Sequence, residues 1–281
     1  MHPEFIIHIA DNDIVLSAYT LFAAIAAAAA FTLSLILLRK NGWKIWQAVL
    51  LYVCCASAFL IGARLLNFAV NSENYGDFSI TSTSFGHFSV YGGLVLACLP
   101  AVLLAKVWHK GFWLMADAMV FAFIAAFAIM RVGCFLNGCC YGKVCDVFWG
   151  VRAPESLSRI YDGVNSILPR FARSEKTIMV YPTQLMEMGL TLSFLPLGIW
   201  LYNKYRCRGV VVSAFVVWFA ALRLFVLQFR ELPYSGIVTD YIYPAIYIVC
   251  ILTGILMLLY NLRRNGTRKE TKKDLFGNKL L

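Results

Sequence analysis

Charged side chains are scarce in this sequence. They make up 14% of its 281 residues, and only 15 residues are acidic. A soluble domain usually carries about 25% charged residues, so the composition argues against one. The 25 basic residues do not cluster as a nucleic-acid-binding face requires, so no nucleic-acid partner is predicted. Instead, 60% of the residues are hydrophobic and the mean hydropathy is +0.71, which indicates a protein that crosses a membrane several times.

The apolar stretches lack the strict alternation that membrane β-strands show, so helices are predicted. Seven stretches have the length that a helix needs to cross a bilayer, which is roughly 20 residues. They are 15–38, 47–69, 89–107, 114–135, 182–202, 210–229 and 241–261. The sequence therefore predicts an all-α integral membrane protein with seven transmembrane helices. We expect residues 1–262 to form the membrane domain and residues 263–281 a basic tail.

The basic residues predict the orientation of these helices. Lys and Arg are frequent in loops 39–46, 106–113 and 203–209 and in the tail. With seven spans these segments lie on one side, and the positive-inside rule makes that side cytoplasmic. The N-terminus, loop 70–88, the long loop 136–181 and loop 230–240 are then predicted to face outward.

Arginines stand in the predicted outer halves of three spans. They are Arg64, Arg131 and Arg223. A charge at membrane depth costs several kcal/mol unless it meets a partner or a wet cavity, and the spans contain only Asp117 and Glu187 as carboxylates. The guanidinium fork suits phosphate, so the arginines predict a phosphate-bearing ligand, such as a phospholipid headgroup. Snorkelling to the headgroup level is the alternative for each, and it is the preferred interpretation of Arg230.

Small and polar residues lie near these arginines along the chain. Gly92 and Gly93 in "VYGGL" open the third span and allow close approach of a ligand or a neighbouring helix. Asn137 lies in the turn "FLNGCCYG", and Gln184 lies in "YPTQLME", where a proline suits the start of a helix. Each has a structural alternative as a packing, turn or capping residue.

Taken in order, these segments resemble the prolipoprotein diacylglyceryl transferases. The most specific likeness is the frame Arg-x-Gly-x-Phe-x-Asn-Gly-x-x-x-Gly at 131–142, and "SAYTL", "GARLLNF", "YGGL" and "YPTQLME" keep the family's order. The resemblance implies a seven-helix, multi-pass enzyme of the bacterial inner membrane. It would move the diacylglyceryl group of phosphatidylglycerol, or of a related anionic phospholipid, to the lipobox cysteine thiol of a secreted prolipoprotein, and glycerol phosphate would leave.

The resemblance also implies roles for single residues. Arg131 and Arg223 take the positions of essential arginines, and we expect Cys139 and Tyr91 to join them as catalytic residues. The expected substrate-binding residues are Tyr19, Arg64, Gly92, Gly93, Asn137, Gly142 and Gln184. No metal and no cofactor is predicted.

The chain departs from the family's pattern at several polar positions. Tyr91 replaces the histidine of a His-Gly-Gly segment, Cys134 replaces an asparagine, and Cys139 and Leu227 replace glutamates. These changes keep two alternatives open. One is a related transferase with a non-lipoprotein acceptor, and the other is a non-catalytic lipid-binding relative.

Four cysteines lie close together at the predicted outer boundary. They are Cys134, Cys139, Cys140 and Cys145. A disulfide is one interpretation, since the outer compartment is oxidising, and unreactive boundary thiols are a second. A third is a reactive thiolate at Cys139, since a nearby guanidinium such as that of Arg131 lowers a thiol pKa. A metal site is disfavoured because the spacing matches no common zinc pattern.

Overall fold

The computed structural model describes residues 4–9, 12–71, 90–152, 179–205, 209–230 and 238–277. Its α-helices are α1 (Ala18–Lys40), α2 (Ile45–Asn71), α3 (Val90–Val107), α4 (Phe112–Asn137), α5 (Thr183–Leu192), α6 (Phe194–Tyr205), α7 (Val210–Leu227) and α8 (Tyr243–Gly277), the last preceded by a π-helical turn at Val238–Ile242. Helix is thus confirmed at all seven predicted stretches. Six of them are long and apolar enough to cross a membrane, whereas the third is a shorter apolar helix, Gly92–Val107.

Two small antiparallel sheets accompany the helices and were not predicted. Strands β1 (Glu4–Ile9) and β2 (Asn12–Ser17) form a hairpin, and β3 (Val151–Arg152) pairs with β4 (Met179–Val180). The first helix begins at Ala18 rather than at residue 15. The Ser17 hydroxyl explains this boundary, because it accepts a hydrogen bond from the Thr20 backbone N–H at 3.2 Å, as an N-cap residue does.

The fifth apolar stretch is interrupted between α5 and α6. The break lies at Ser193. Pro196 accounts for it, because proline has no N–H to donate and its ring clashes with the carbonyl four residues earlier, that of Leu192. The break leaves α5 as a separate ten-residue segment.

The chain divides into two compact units, Ala29–Ala122 and Met1–Ala28 together with Phe123–Leu281. In the unit Ala29–Ala122, α2 and α3 cross closely, since a Cβ atom added at Gly92 would lie 2.2 Å from the Gly62 carbonyl oxygen. The loops 39–46 and 106–113 meet in this unit, where Lys110 Nζ donates to the Gly42 carbonyl at 2.8 Å. These two loops therefore lie at the same end of their helices, as the charge pattern predicted.

In the other unit, α4, α6 and α7 pack against one another through aromatic side chains. Phe123 and Phe127 of α4 meet Phe219 of α7 with ring centroids 5.5 and 5.3 Å apart. In the middle of α8, Asn261 Nδ2 donates to the Gly209 carbonyl at 3.1 Å, so Gly209 lies beside the start of the basic tail. Helix α8 continues into that tail as far as Gly277.

Several predictions fall wholly or mainly outside the described residues. One is the outward placement of loops 70–88 and 230–240 and of most of loop 136–181. Another is the cytoplasmic placement of the basic residues Arg206, Arg208 and Lys279.

Candidate functional site

A single buried carboxylate forms ion pairs with three arginines. Glu187 lies in α5, and its side chain is 2% exposed. Arg131 Nη2 lies 2.5 Å from Glu187 Oε2, and Arg230 Nη1 lies 3.2 Å from Glu187 Oε1. Arg223 Nη1 donates a hydrogen bond to the same Oε1 atom. Among the described residues, three guanidinium groups contact this one carboxylate, which gives two positive charges in excess over that carboxylate.

Each arginine comes from a different part of the unit. Arg131 lies near the end of α4, where its guanidinium carbon is 4.6 Å from the centre of the Phe127 ring. Arg223 lies on α7, and Arg230 follows that helix by three residues. All three side chains are at most 14% exposed. Charges this deeply buried interact strongly because the surroundings screen them weakly.

The first turn of α5 holds the loop that follows α4. Thr183 Oγ1 donates to the Cys140 carbonyl at 2.8 Å, and Gln184 Nε2 donates to the Cys139 carbonyl at 2.6 Å. Both donor side chains are buried. The segment "YPTQLME" therefore fixes the cysteine turn and places Glu187 one turn further along the same helix.

Backbone hydrogen bonds join the next residues of this loop to the segment before α5 and to the segment after α7. The Gly142 N–H donates to the Tyr181 carbonyl at 2.9 Å, and the Lys143 N–H donates to the Phe229 carbonyl at 2.8 Å. A Cβ atom at Gly142 would lie 2.4 Å from the Phe229 carbonyl oxygen, so only glycine fits here without a shift of the backbone. This crossing positions Arg230, which pairs with Gly142 as an isolated β-bridge.

Three thiols form a second cluster in the same loop. The Sγ atoms of Cys134, Cys139 and Cys140 all lie within 4.8 Å of one another. The three cysteines are free, as is Cys145. Cys134 is buried at the end of α4, whereas Cys139 and Cys140 are half-buried.

The two cysteines that follow α4 differ in acidity. Hydrogen bonds from the Cys134 and Cys139 thiols hold the pKa of the Cys140 thiol well below its usual range, and the Arg230 and Arg131 charges act in the same direction, while burial opposes them. The bond with Cys134 lowers the pKa of Cys139, but the bond with Cys140 and burial outweigh it and raise that pKa to about 11. Cys140 is thus the more acidic of the two thiols.

Two further predicted site residues lie at the thiol cluster. Tyr19 of α1 interacts electrostatically with all three cysteines and with Arg131. The Asn137 side chain is hydrogen-bonded to the Cys139 thiol. Together with Gln184, Gly142, Arg131 and Arg223, they occupy the unit that contains Phe123–Leu281.

The remaining predicted residues lie in the unit Ala29–Ala122. Arg64 is half-buried on α2, and Tyr91 lies in the first turn of α3. Gly92 faces the Gly62 backbone, and a Cβ atom at Gly93 would lie 2.6 Å from the Phe59 ring. Both glycines therefore pack against α2, which is one of the two roles that the sequence left open for them.

Sequence reasoning missed two features of the site. Glu187 appeared only as a scarce carboxylate, and Arg230 was interpreted as a snorkelling side chain, whereas Arg230 reaches Glu187 from the end of α7. The scarcity itself was the available signal. Where the predicted spans hold only two carboxylates and several arginines, each carboxylate is an expected partner of the arginines.

Comparison with known proteins gives a consistent result. The model of the prolipoprotein diacylglyceryl transferase family matches residues 5–260. Phosphatidylglycerol–prolipoprotein diacylglyceryl transferase 2 of Clostridium perfringens is 26% identical over 233 residues, which are 82% of this chain and 83% of the relative. The corresponding transferases of Proteus mirabilis and Solidesulfovibrio magneticus are 27% identical over 250 residues and 28% identical over 242, with 82% and 84% of each relative covered and 83% of this chain in both cases.

Proposed function

Because the chain belongs to the prolipoprotein diacylglyceryl transferase family, we propose that it transfers a diacylglyceryl group from phosphatidylglycerol to the lipobox cysteine of a prolipoprotein. The curated relatives carry this activity in their names. The proposed location is the bacterial inner membrane, with the N-terminus outside and the tail in the cytoplasm, in keeping with the six candidate membrane spans. The reacting headgroup would then lie in the outer leaflet.

The observation that carries the proposal is the positive excess around Glu187. A structural ion pair needs one arginine for each carboxylate, whereas Glu187 contacts three. A phosphate that bears one negative charge would reduce the excess, and the planar guanidinium groups suit its oxygens.

Two buried polar atoms support the same interpretation. Among the described residues, Arg230 Nε and Gln184 Oε1 have no hydrogen-bond partner. An unsatisfied buried polar atom costs about 1–3 kcal/mol, so a ligand that pairs with it is stabilised in the site. A phosphate oxygen fits the Arg230 donor, and a glycerol hydroxyl of the phosphatidylglycerol headgroup fits the Gln184 acceptor.

The proposed reaction places the arginines at the leaving group. The acceptor sulfur bonds to the terminal glycerol carbon of the diacylglyceryl unit while the bond from that carbon to the phosphate oxygen breaks. Its electron pair leaves with glycerol phosphate, and the thiol proton is released. Arg131 and Arg223 would stabilise the charge that grows on the phosphate, an effect that commonly supplies much of an enzyme's acceleration. Glu187 holds the two guanidinium groups in place and is a positioning residue.

A second candidate shares the donor but not the acceptor. Tyr91 stands where the resembled family has a histidine, and Cys139 stands where it has a glutamate. These positions favour a related transferase whose acceptor is not a lipoprotein. The same phosphate site serves both reactions.

Complementation tests the proposal directly. The gene is expressed in bacteria depleted of their own diacylglyceryl transferase, and the mass of a reporter lipoprotein is measured. The proposal expects the mass of one added diacylglyceryl group. Arg131→Ala and Arg223→Ala should each lower turnover about 10²–10³-fold, as loss of a transition-state donor does. Arg230→Ala should lower turnover less, since Arg230 makes the longest of the three contacts, at 3.2 Å.

Arg39→Ala is the matched control, because Arg39 is exposed at the end of α1. Release of glycerol phosphate without lipidation of the reporter would favour the second candidate. Unmodified reporter and no glycerol phosphate release, with phosphatidylglycerol still bound, would identify a non-catalytic lipid-binding protein. Near-normal turnover in both the Arg131 and the Arg223 variants would exclude the phosphate site.

A further inference from the structure

The thiols of Cys134, Cys139 and Cys140 form a cluster that the proposed lipid transfer does not require as a unit. Their sulfur atoms lie within 4.8 Å of one another although Cys134 belongs to α4 and the other two follow it. In the described part of the chain, no other group of three metal-ligating side chains comes this close together. The cluster therefore indicates a function separate from the proposed lipid transfer.

The surrounding structure holds the three sulfurs together. Thr183 and Gln184, both buried, bind the carbonyls of Cys140 and Cys139. Cys140 has φ of 61°, in the left-handed region that residues with a side chain rarely adopt. Such strain persists where the surroundings fix it, and it is common at ligand sites. Here the strained backbone turns the adjacent Cys139 and Cys140 side chains toward a common partner, Cys134.

The geometry points to a binding site for a thiophilic metal ion, Cu(I) or Zn(II), held by the thiolates of Cys134, Cys139 and Cys140. Metal–sulfur bonds of about 2.3 Å place three sulfurs around one ion about 4 Å apart. The observed separations, all within 4.8 Å, need to shrink by less than 1 Å. Soft thiolate ligands select these metals over hard cations such as Mg²⁺.

The donor count favours copper of the two metals. Structural zinc takes four ligands, whereas three thiolates complete the trigonal coordination that Cu(I) accepts. The described residues offer three ligands in this group. Zinc would need a water molecule or another small ligand in the fourth position, so we expect Cu(I) to bind more tightly.

The electrostatic setting also suits such a site. Three thiolates and one Cu(I) ion carry two negative charges, and in the described part of the chain three guanidinium groups contact the one carboxylate of Glu187. Cys140 interacts electrostatically with both Arg131 and Arg230. The negative charge of the metal-loaded thiol cluster would therefore lie beside positive groups that are already in place. Each thiol releases its proton to solvent when the metal binds, and no redox step is involved.

The cysteine spacing matches no common zinc pattern, but those patterns supply four ligands. The folded loop instead offers three ligands, and Cys145 is not one of them. The inference does not depend on the proposed transferase activity.

Metal binding to the full-length protein tests the inference. Protein purified in detergent under reducing, anaerobic conditions is incubated with Cu(I) or Zn(II). Unbound metal is removed, and the bound metal is measured by inductively coupled plasma mass spectrometry. We expect about one ion per chain and an affinity at least tenfold lower in Cys140→Ser and Cys134→Ser. Cys145→Ser is the matched control, a loop cysteine outside the cluster, and should bind as the wild type does.

A second measurement uses wild-type protein alone, in case the serine variants fold poorly. Bound metal should protect Cys134, Cys139 and Cys140 from alkylation, as read by peptide mass, and leave Cys145 unprotected. Wild-type protein that retains no metal would overturn the inference. So would equal metal loss in Cys145→Ser, or a disulfide within the cluster that persists under the reducing conditions.

Discussion

The Gln184 side chain donates to the Cys139 carbonyl at 2.6 Å, so a residue of α5 fixes the turn that ends α4. The two residues are far apart in sequence, and the bond joins the segments "FLNGCCYG" and "YPTQLME". It also explains why a polar side chain stands at a fully buried position of an apolar stretch.

Replacing Gln184 by alanine should loosen this turn. The change leaves the Cys139 carbonyl without its donor, and an unsatisfied buried group costs about 1–3 kcal/mol. Thermal unfolding in detergent should show a lower midpoint temperature for Gln184→Ala. Gln228→Ala is the control, because Gln228 is exposed at the end of α7. Equal stability of the two variants would contradict the assigned role.

Replacing Glu187 by glutamine should destabilise the protein more strongly. The substitution removes the carboxylate charge that contacts three buried guanidinium groups, and breaking a buried ion pair typically costs about 3–5 kcal/mol. The remaining positive charge should also make the variant more dependent on anionic lipid. We therefore expect phosphatidylglycerol, compared with phosphatidylcholine, to raise the unfolding temperature of Glu187→Gln more than that of wild type.

Asp146→Asn provides the control for Glu187, since Asp146 is exposed in the loop after α4. It should change neither the unfolding temperature nor the lipid effect. If Glu187→Gln unfolds at the wild-type temperature, Glu187 does not hold the arginines.

The proposed orientation of the chain can be tested by labelling. Cysteines introduced at Lys44 and Lys110 should react only after the membrane is permeabilised, because the basic loops are predicted to be cytoplasmic. The contact between Lys110 and Gly42 requires both sites to give the same result. A cysteine introduced at exposed Lys143 should instead be labelled in intact cells. The native cysteines are first replaced, in a background shown to remain folded.

If the cysteine introduced at position 143 is labelled only after permeabilisation, the arginine cluster lies near the inner leaflet. That result would contradict the proposed site for outer-leaflet phosphatidylglycerol. If the cysteines introduced at positions 44 and 110 were labelled from opposite sides of the membrane, the fold of the unit Ala29–Ala122 would be contradicted.

The hypothesis of a Cys139 nucleophile makes a separate prediction. Under it, Cys139→Ser abolishes turnover while the fold and phosphatidylglycerol binding persist, and wild-type protein mixed with donor lipid alone gains the mass of a diacylglyceryl group. Cys145→Ser is the control and should remain active. An active Cys139→Ser variant and no adduct would contradict covalent catalysis but not the metal site, which is measured without turnover.

Hydropathy alone predicted where the helices lie, because membrane spans need long apolar runs and few other segments contain them. It did not predict the break at Ser193, since apolar residues continue through it while Pro196 interrupts the backbone hydrogen bonds. Strands β3 and β4 depend on pairing between distant segments, such as Val151 with Val180, and no local pattern specifies that pairing.

The site was only partly predictable for a related reason. The arginines were visible because charge is costly in a membrane, and the importance of Arg131 and Arg223 followed from the chemistry of phosphate. Their common partner, Glu187, is brought to them by the packing of α4, α5 and α7. The closeness of Cys140 to Cys134 depends on a left-handed backbone that Thr183 helps to hold from another helix.

A substitution at Gly92 separates its two possible roles, which are packing against α2 and contact with a ligand. A methyl group at this position would lie 2.2 Å from the Gly62 carbonyl oxygen, and helices that must move apart lose packing worth about 1–3 kcal/mol. Gly92→Ala should therefore lower the unfolding temperature. Gly189→Ala is the matched control, because a Cβ atom there meets nothing within 4 Å and alanine favours a helix by about 0.5–1 kcal/mol. If Gly92 serves packing, the extra stability that phosphatidylglycerol gives over phosphatidylcholine should persist in Gly92→Ala. A variant with the wild-type unfolding temperature and no such lipid effect would contradict the packing role and support direct contact between Gly92 and the substrate.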